Sequence, residues 1–166
     1  MQLLRRKELV MKVEIQRLLC PTDFSASAEY AFHYALAIAA RHGATVELLH
    51  VTENSAYAND PPLEGDEASK TLEDRLRAQL REIAESADTD VLIETALLVG
   101  IPYVEIVNRA KTWPADLIVI GTHGRTGMKH LLIGSVAEKV VRSSPCPVCT
   151  VRHPDYVVPF EHRGKD

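Results

Sequence analysis

Five short apolar runs alternate with four stretches of helical periodicity along most of this chain, and that alternation leaves few folds open. The runs cover 16–20, 44–51, 91–99, 116–120 and 147–151, and Pro21 is expected to stop the first of them. Between them, Ala28, Phe32, Ala35, Leu36 and Ala39 recur at helical spacing behind Ser25, a good N-cap, and ahead of Gly43, a good stop. Leu72, Leu76, Leu80 and Ile83 mark one apolar face of a second helix over 68–87. A third starts at Pro102, whose fixed φ and missing donor suit a first helical turn, and runs to about Trp113. A fourth covers 135–142. Strands separated by helices of this length pair in parallel through right-handed crossovers, so the fold class is α/β with helices on both faces of one sheet.

A chain of 166 residues fits one domain of ordinary size. The periodic core occupies 16–152, with an N-terminal extension over 1–15 and a charged tail over 153–166 in which residues 156–160 could dock. A polar stretch over 52–65 is longer than the roughly 2–6 residues usual in α/β connections, as loops that cover a site often are.

The formal net charge is −4, from 19 basic and 23 acidic residues, so the molecule as a whole does not attract nucleic acid. No apolar run approaches the roughly 20 residues of a membrane span, and Glu8, Lys12 and Glu14 interrupt the stretch beyond the basic N-terminus, so neither membrane nor secretory signal is expected. The expected location is the cytoplasm. Three cysteines, Cys20, Cys146 and Cys149, cannot build a disulfide framework and are expected to be reduced thiols.

The chemistry concentrates in one loop. Gly121, Gly124, Gly127 and the Gly134-Ser135 pair punctuate the segment between the fourth strand and the fourth helix. Glycines permit close backbone approach to a ligand, and Ser135 opens a helix whose N–H groups and positive dipole end favour anions. The segment between Asp116 and Glu138 holds no acidic residue, yet contains His123, Arg125, Lys129 and His130, so its local sign opposes the global one. Charge-assisted hydrogen bonds of about 1.5–3 kcal/mol each could hold a triphosphate at roughly micromolar affinity. The spacing is neither a P-loop nor the dinucleotide fingerprint. Without a ligand, the same residues read as a glycine-containing loop with solvated charges.

At this loop, GTHGRTGMKHLLIGS, the chain resembles the nucleotide-binding branch of the universal stress protein family, whose pattern is G-x2-G-x9-G-[ST]. The resemblance extends to Pro21-Thr22-Asp23-Phe24-Ser25, Leu48-Leu49-His50-Val51, Val99-Gly100-Ile101-Pro102 and Cys146-Pro147-Val148. It implies a five-stranded parallel sheet in the order 3-2-1-4-5, a Rossmann-like fold of the adenine nucleotide α-hydrolase-like type, with a ligand at the switch between strands one and four. It further implies ATP, or AMP or ADP, as the ligand. Asp23 would accept hydrogen bonds from ribose hydroxyls, and the backbone at Pro21 and Val51 would frame adenine. Gly121, Thr122, His123, Gly124, Arg125, Thr126 and Gly127, together with Gly134, Ser135, Val136 and Ala137, would hold the phosphates. An acceptor-only carboxylate suits a diol, and backbone groups suit an adenine edge. Asp23 has a second use open to it, an Asx-turn or a cap for the first helix. Arg125 is a stronger phosphate candidate than His123, and Lys129 and His130 are evenly balanced.

Any Mg²⁺ or Mn²⁺ would ride mainly on the phosphates, since magnesium keeps its waters and the sequence holds no zinc motif. No acidic residue or Gln stands in the glycine loop to orient water, so the expectation is a regulatory nucleotide-binding module, with slow ATP hydrolysis left open. Two other classes compete: an interaction module of the same fold that uses no nucleotide, and a thiol oxidoreductase built on Cys146-Pro-Val-Cys149. The second is weakened because an odd spacing sends two strand side chains to opposite faces. The resemblance also implies a homodimer through the edge strand 148–151.

Overall fold

The computed structural model describes residues 13–53, 67–122 and 133–155, those of 67–71 as backbone alone. The element order is β1 (Arg17–Thr22), α1 (Ala26–His42), β2 (Thr45–Thr52), α2 (Glu67–Ser86), β3 (Ile93–Val99), α3 (Pro102–Thr112), β4 (Leu117–Gly121), α4 (Ser135–Ser143) and β5 (Val148–Val151). All strand pairs are parallel, and the sheet order is β3-β2-β1-β4-β5. Strand order therefore reverses between β1 and β4, as the α/β reading with order 3-2-1-4-5 requires.

Alternating side chains of the central strands feed two cores. Leu18, Cys20, Val46, Leu48 and Val119 pack against α1 and α2 on one face. Leu19, Leu49, Val51, Ile118 and Ile120 pack against α3 and α4 on the other. Burial on both faces explains why these strands are apolar without a break. One exception is Glu47, almost fully buried on the α3 side of β2, where its carboxylate takes two hydrogen bonds from the Arg109 guanidinium, Nε to Oε2 at 2.8 Å and Nη2 to Oε1. The hydrogen bond to Glu47 holds the Arg109 guanidinium above its ordinary pKa.

The helix ends follow their local chemistry. Ser25 caps α1 by accepting the Ala28 N–H (3.3 Å), and Gly43 ends it in the left-handed conformation at φ +64°. Pro102 occupies the first turn of α3. Trp113 closes that helix through its N–H to Arg109 O (2.8 Å), with the Arg17 guanidinium over its ring at 5.6 Å.

One sequence expectation fails here. Pro21 does not stop β1, which runs on to Thr22. The pairing of β1 with β4 ends at Leu19↔Ile118, whereas its pairing with β2 continues through Pro21↔Leu49 to Thr22↔His50. By Pro21 the strand has a partner on one side only, and such a position tolerates a residue without an N–H.

No helix among the described residues is long and apolar enough to cross a membrane. Within the polar stretch expected over 52–65, Thr52 ends β2 and residues 54–65 lie outside the described residues. So do 156–160 of the tail, whereas His153 stands edge-on to Tyr30 at 5.4 Å.

Gly121 is set by packing. A Cβ there would lie 2.8 Å from both the carbonyl oxygen and Oγ of Ser27, in the first turn of α1. Gly121→Ala should therefore cost roughly 1–3 kcal/mol in urea denaturation by forcing α1 away from β4. Unchanged stability of that variant would refute the close contact.

Candidate nucleotide-binding site

β1 and β4 are fastened at one end and part at the other. Asp116, just before β4, accepts the N–H groups of Gln16 (2.8 Å) and Arg17 (3.0 Å) on one carboxylate oxygen, and its own N–H donates to Arg17 O (2.9 Å). Beyond Leu19 and Ile118 the two strands no longer pair. Between their parted C-terminal ends lies a cavity of about 260 Å³.

Its walls differ in character. Leu49, Val51, Pro102, Ile106 and Ile120 make an apolar side. Asp23, Thr122 and the start of α4, Gly134 to Ala137, make a polar one. Among the described residues lining it, Asp23 is the only ionisable side chain.

The start of α4 leaves donors facing a ligand-sized space. Its first α-helical bond runs from Glu138 N–H to Gly134 O (2.9 Å), so the N–H groups of Ser135, Val136 and Ala137 precede it. The N-cap is Gly134, which has no side chain to cap them. The chain leaves the sheet at Thr122 and returns at Gly134, and these two residues are joined by Gly134 N–H to Thr122 O at 2.6 Å. Thr122 N–H in turn donates to Val151 O (2.9 Å), which ties the polar wall to β5.

Of the residues singled out from sequence, Pro21, Asp23, Val51, Gly121, Thr122, Gly134, Ser135, Val136 and Ala137 all line this one cavity. His123, Gly124, Arg125, Thr126, Gly127, Lys129 and His130 lie outside the described residues. The Asx-turn open to Asp23 is present: its Oδ1 accepts the Ser25 N–H at 3.1 Å. A carboxylate offers about four lone-pair sites, so that turn and a ligand hydroxyl are compatible.

Several lining residues were not singled out beforehand, namely Thr22, Ala28, Leu49, Pro102, Ile106 and Ile120. Strand parity could have found Leu49 and Ile120, since each shares a face with a neighbour two residues away that was chosen or buried. Phe24, next to Asp23, adopts φ +63°, a left-handed conformation uncommon for a bulky residue. Among the described residues no group of three or more His, Cys, Asp or Glu side chains converges as metal ligands.

The dithiol is split by the sheet. Cys146, before β5, packs with the α3 and α4 core, whereas Cys149 packs with the α1 and α2 core. Cys20 is fully buried in β1, and that burial pushes its thiol from 9.0 up to about 12.

A parallel sheet whose strand order reverses beside a crevice at its C-terminal edge defines a Rossmann-like α/β protein with a ligand-sized crevice at the switch point. A model of the universal stress protein family matches residues 14–152. Universal stress protein MJ0531 of Methanocaldococcus jannaschii is 36% identical over 142 residues, 84% of this chain and 83% of that one. The solved structure of MJ0577 from the same archaeon is similar at TM-score 0.74 and 33% identity, over 85% of this chain and 98% of the other. A universal stress protein solved in complex with cAMP is similar at TM-score 0.63 and 27% identity, over 84% and 98%. The chain belongs to the universal stress protein family.

The split dithiol yields a direct expectation. Alkylation of the native protein should reach Cys146 or Cys149 before Cys20, which should react only on unfolding, and mild oxidation should produce no Cys146–Cys149 disulfide. An intramolecular disulfide formed without loss of structure would contradict the placement on opposite faces.

Proposed function

We propose that this protein is an ATP-binding regulatory module that seats the nucleotide in the cavity between β1 and β4. The observation that carries the proposal is the pairing, within one cavity, of an apolar wall with a carboxylate and a helix N-terminus whose N-cap is a glycine. Adenine is flat and apolar on its faces, ribose presents hydroxyl donors, and phosphates are anionic. Leu49, Val51, Pro102 and Ile106 suit the first, Asp23 the second, and the amides of Ser135, Val136 and Ala137 the third. The glycine loop over 121–127, with Arg125, supplies further phosphate contacts in this proposal. The relative solved with cAMP supports an adenine nucleotide as the ligand class.

Bound nucleotide would link α4 to β1 through its phosphate and ribose ends, so its arrival and departure would be read in the stiffness of that edge of the molecule. No hydrolytic step is assigned, because Asp23, the one ionisable side chain among the described lining residues, is committed to ribose in this scheme. A Mg²⁺ or Mn²⁺ ion would enter with the phosphates. The cytoplasm suits a protein that samples the cellular adenylate pool.

Calorimetry with ATP, ADP, AMP and cAMP tests the scheme. ATP should bind, Asp23→Ala should weaken binding by roughly 10- to 100-fold, the worth of a hydrogen bond to a charged group, and Gly124→Val should abolish it. Absence of heat at millimolar ATP would instead favour a module that works without nucleotide.

The edge strand β5 pairs with β4 alone, and Val141 on the adjoining α4 is 47% exposed. A second copy pairing along Val148–Val151 would cover both. The mass in dilute solution should accordingly be that of a homodimer, with and without ATP. A monomer under both conditions would remove that part of the proposal.

A further inference from the structure

His50 lies behind the sheet from the cavity, on the face that carries Val46 and Leu48 rather than the one that carries Leu49 and Val51. It is 8% exposed, and no part of it lines the cavity. It nevertheless touches both sequence neighbours of Asp23. Its Nδ1 is 2.7 Å from the carbonyl oxygen of Thr22, with which it is paired across β1 and β2. A carbonyl only accepts, so Nδ1 carries the proton in this contact. Its ring lies against the Phe24 ring, with centroids 4.4 Å apart and planes at 40°.

The turn held in this way is not one the backbone adopts unaided. Phe24 stands at φ +63°, where a Cβ is crowded, and such a conformation persists only when its surroundings over-determine it. Two hydrogen bonds define the turn: Phe24 N–H to Thr22 Oγ1 at 3.0 Å, and Ser25 N–H to Asp23 Oδ1 at 3.1 Å. The imidazole fixes the residue before Asp23 by a hydrogen bond and the residue after it by ring contact.

We infer that His50 is a positioning residue, which sets the direction of the Asp23 carboxylate into the cavity by clamping Thr22 and Phe24 from the opposite face of the sheet. Its effect on ligand rests on the nucleotide-binding proposal above, whereas its effect on the turn does not. The side chain required is one that places an N–H donor where Nδ1 stands. Asn does this, because its Nδ2 reaches about as far from Cβ as Nδ1, whereas Gln places its amide near Nε2 and Leu has no donor.

Two readouts on the full chain separate the claims. Amide hydrogen exchange at Phe24 and Ser25 should be about tenfold or more faster in His50→Leu and His50→Gln than in the native protein, and close to native in His50→Asn. Equal exchange in the native, Asn and Gln proteins would overturn the inference, even if His50→Leu failed to fold. In ATP titrations, His50→Leu should bind about tenfold more weakly, yet add no further loss to Asp23→Ala, because it acts only through that carboxylate. Losses that simply add in the double variant would also overturn it. If the native protein bound no ATP while the exchange pattern held, the nucleotide proposal would fall and the clamp would stand.

Discussion

Asp116 is the fastening on which the site depends. One of its oxygens accepts two main-chain donors at the start of β1, so β1 and β4 are locked together at their N-terminal ends. Neighbouring strands whose connections leave for opposite faces of the sheet have no crossover covering the gap beyond their last paired residues. Here the pairing lapses after Leu19 and Ile118, at the point where successive connections leave for opposite faces of the sheet. The cavity is a consequence of that geometry, and the residues around it are those that parted strands and the helices behind them happen to present.

From that constraint the chemistry of the walls can be followed outward. β1 ends in the turn that carries Asp23, β4 ends in Gly121 and Thr122, and the chain comes back at Gly134 to start α4. Gly121 packs directly on Ser27, so the first turn of α1 stands against the end of β4, and Ala28 of that helix lines the cavity. The glycine N-cap of α4 adds the second half, a helix terminus with donors and no side chain of its own to satisfy them. Apolar residues from β2 and α3 close the remaining side. Acceptor, donors and apolar surface thus come from separate parts of the chain, brought together because strand order reverses between β1 and β4.

Much of this could be read from residues alone, for identifiable reasons. Strand and helix alternate in period as well as in position, so the parallel sheet was legible, and Ser25, Gly43 and Pro102 marked helix ends by local chemistry that needs no tertiary context. The candidate site was legible where it rests on backbone, as at Gly134 and Ser135. What escaped was whatever depends on a neighbour distant in sequence. Pro21 looks like a terminator until the loss of the β4 partner is known, and Glu47 looks like an interruption of β2 until Arg109 is placed over it. Gly121 reads as a glycine kept small for a ligand, and it does line the cavity, but its close packing on Ser27 has no local signal. His50 reads only as the end of a strand, because nothing local tells that its ring meets Thr22 and Phe24.

The central claim is that the space between the parted ends of β1 and β4 is the seat of a nucleotide, ribose towards Asp23 and phosphates towards α4. A crystal structure of the protein grown with ATP measures this directly. The account predicts density in that space, with a ribose hydroxyl within hydrogen-bond distance of the Asp23 carboxylate and phosphate oxygens at the Ser135, Val136 and Ala137 amides. Nucleotide bound elsewhere on the molecule, or this space filled by the protein's own side chains, would contradict it.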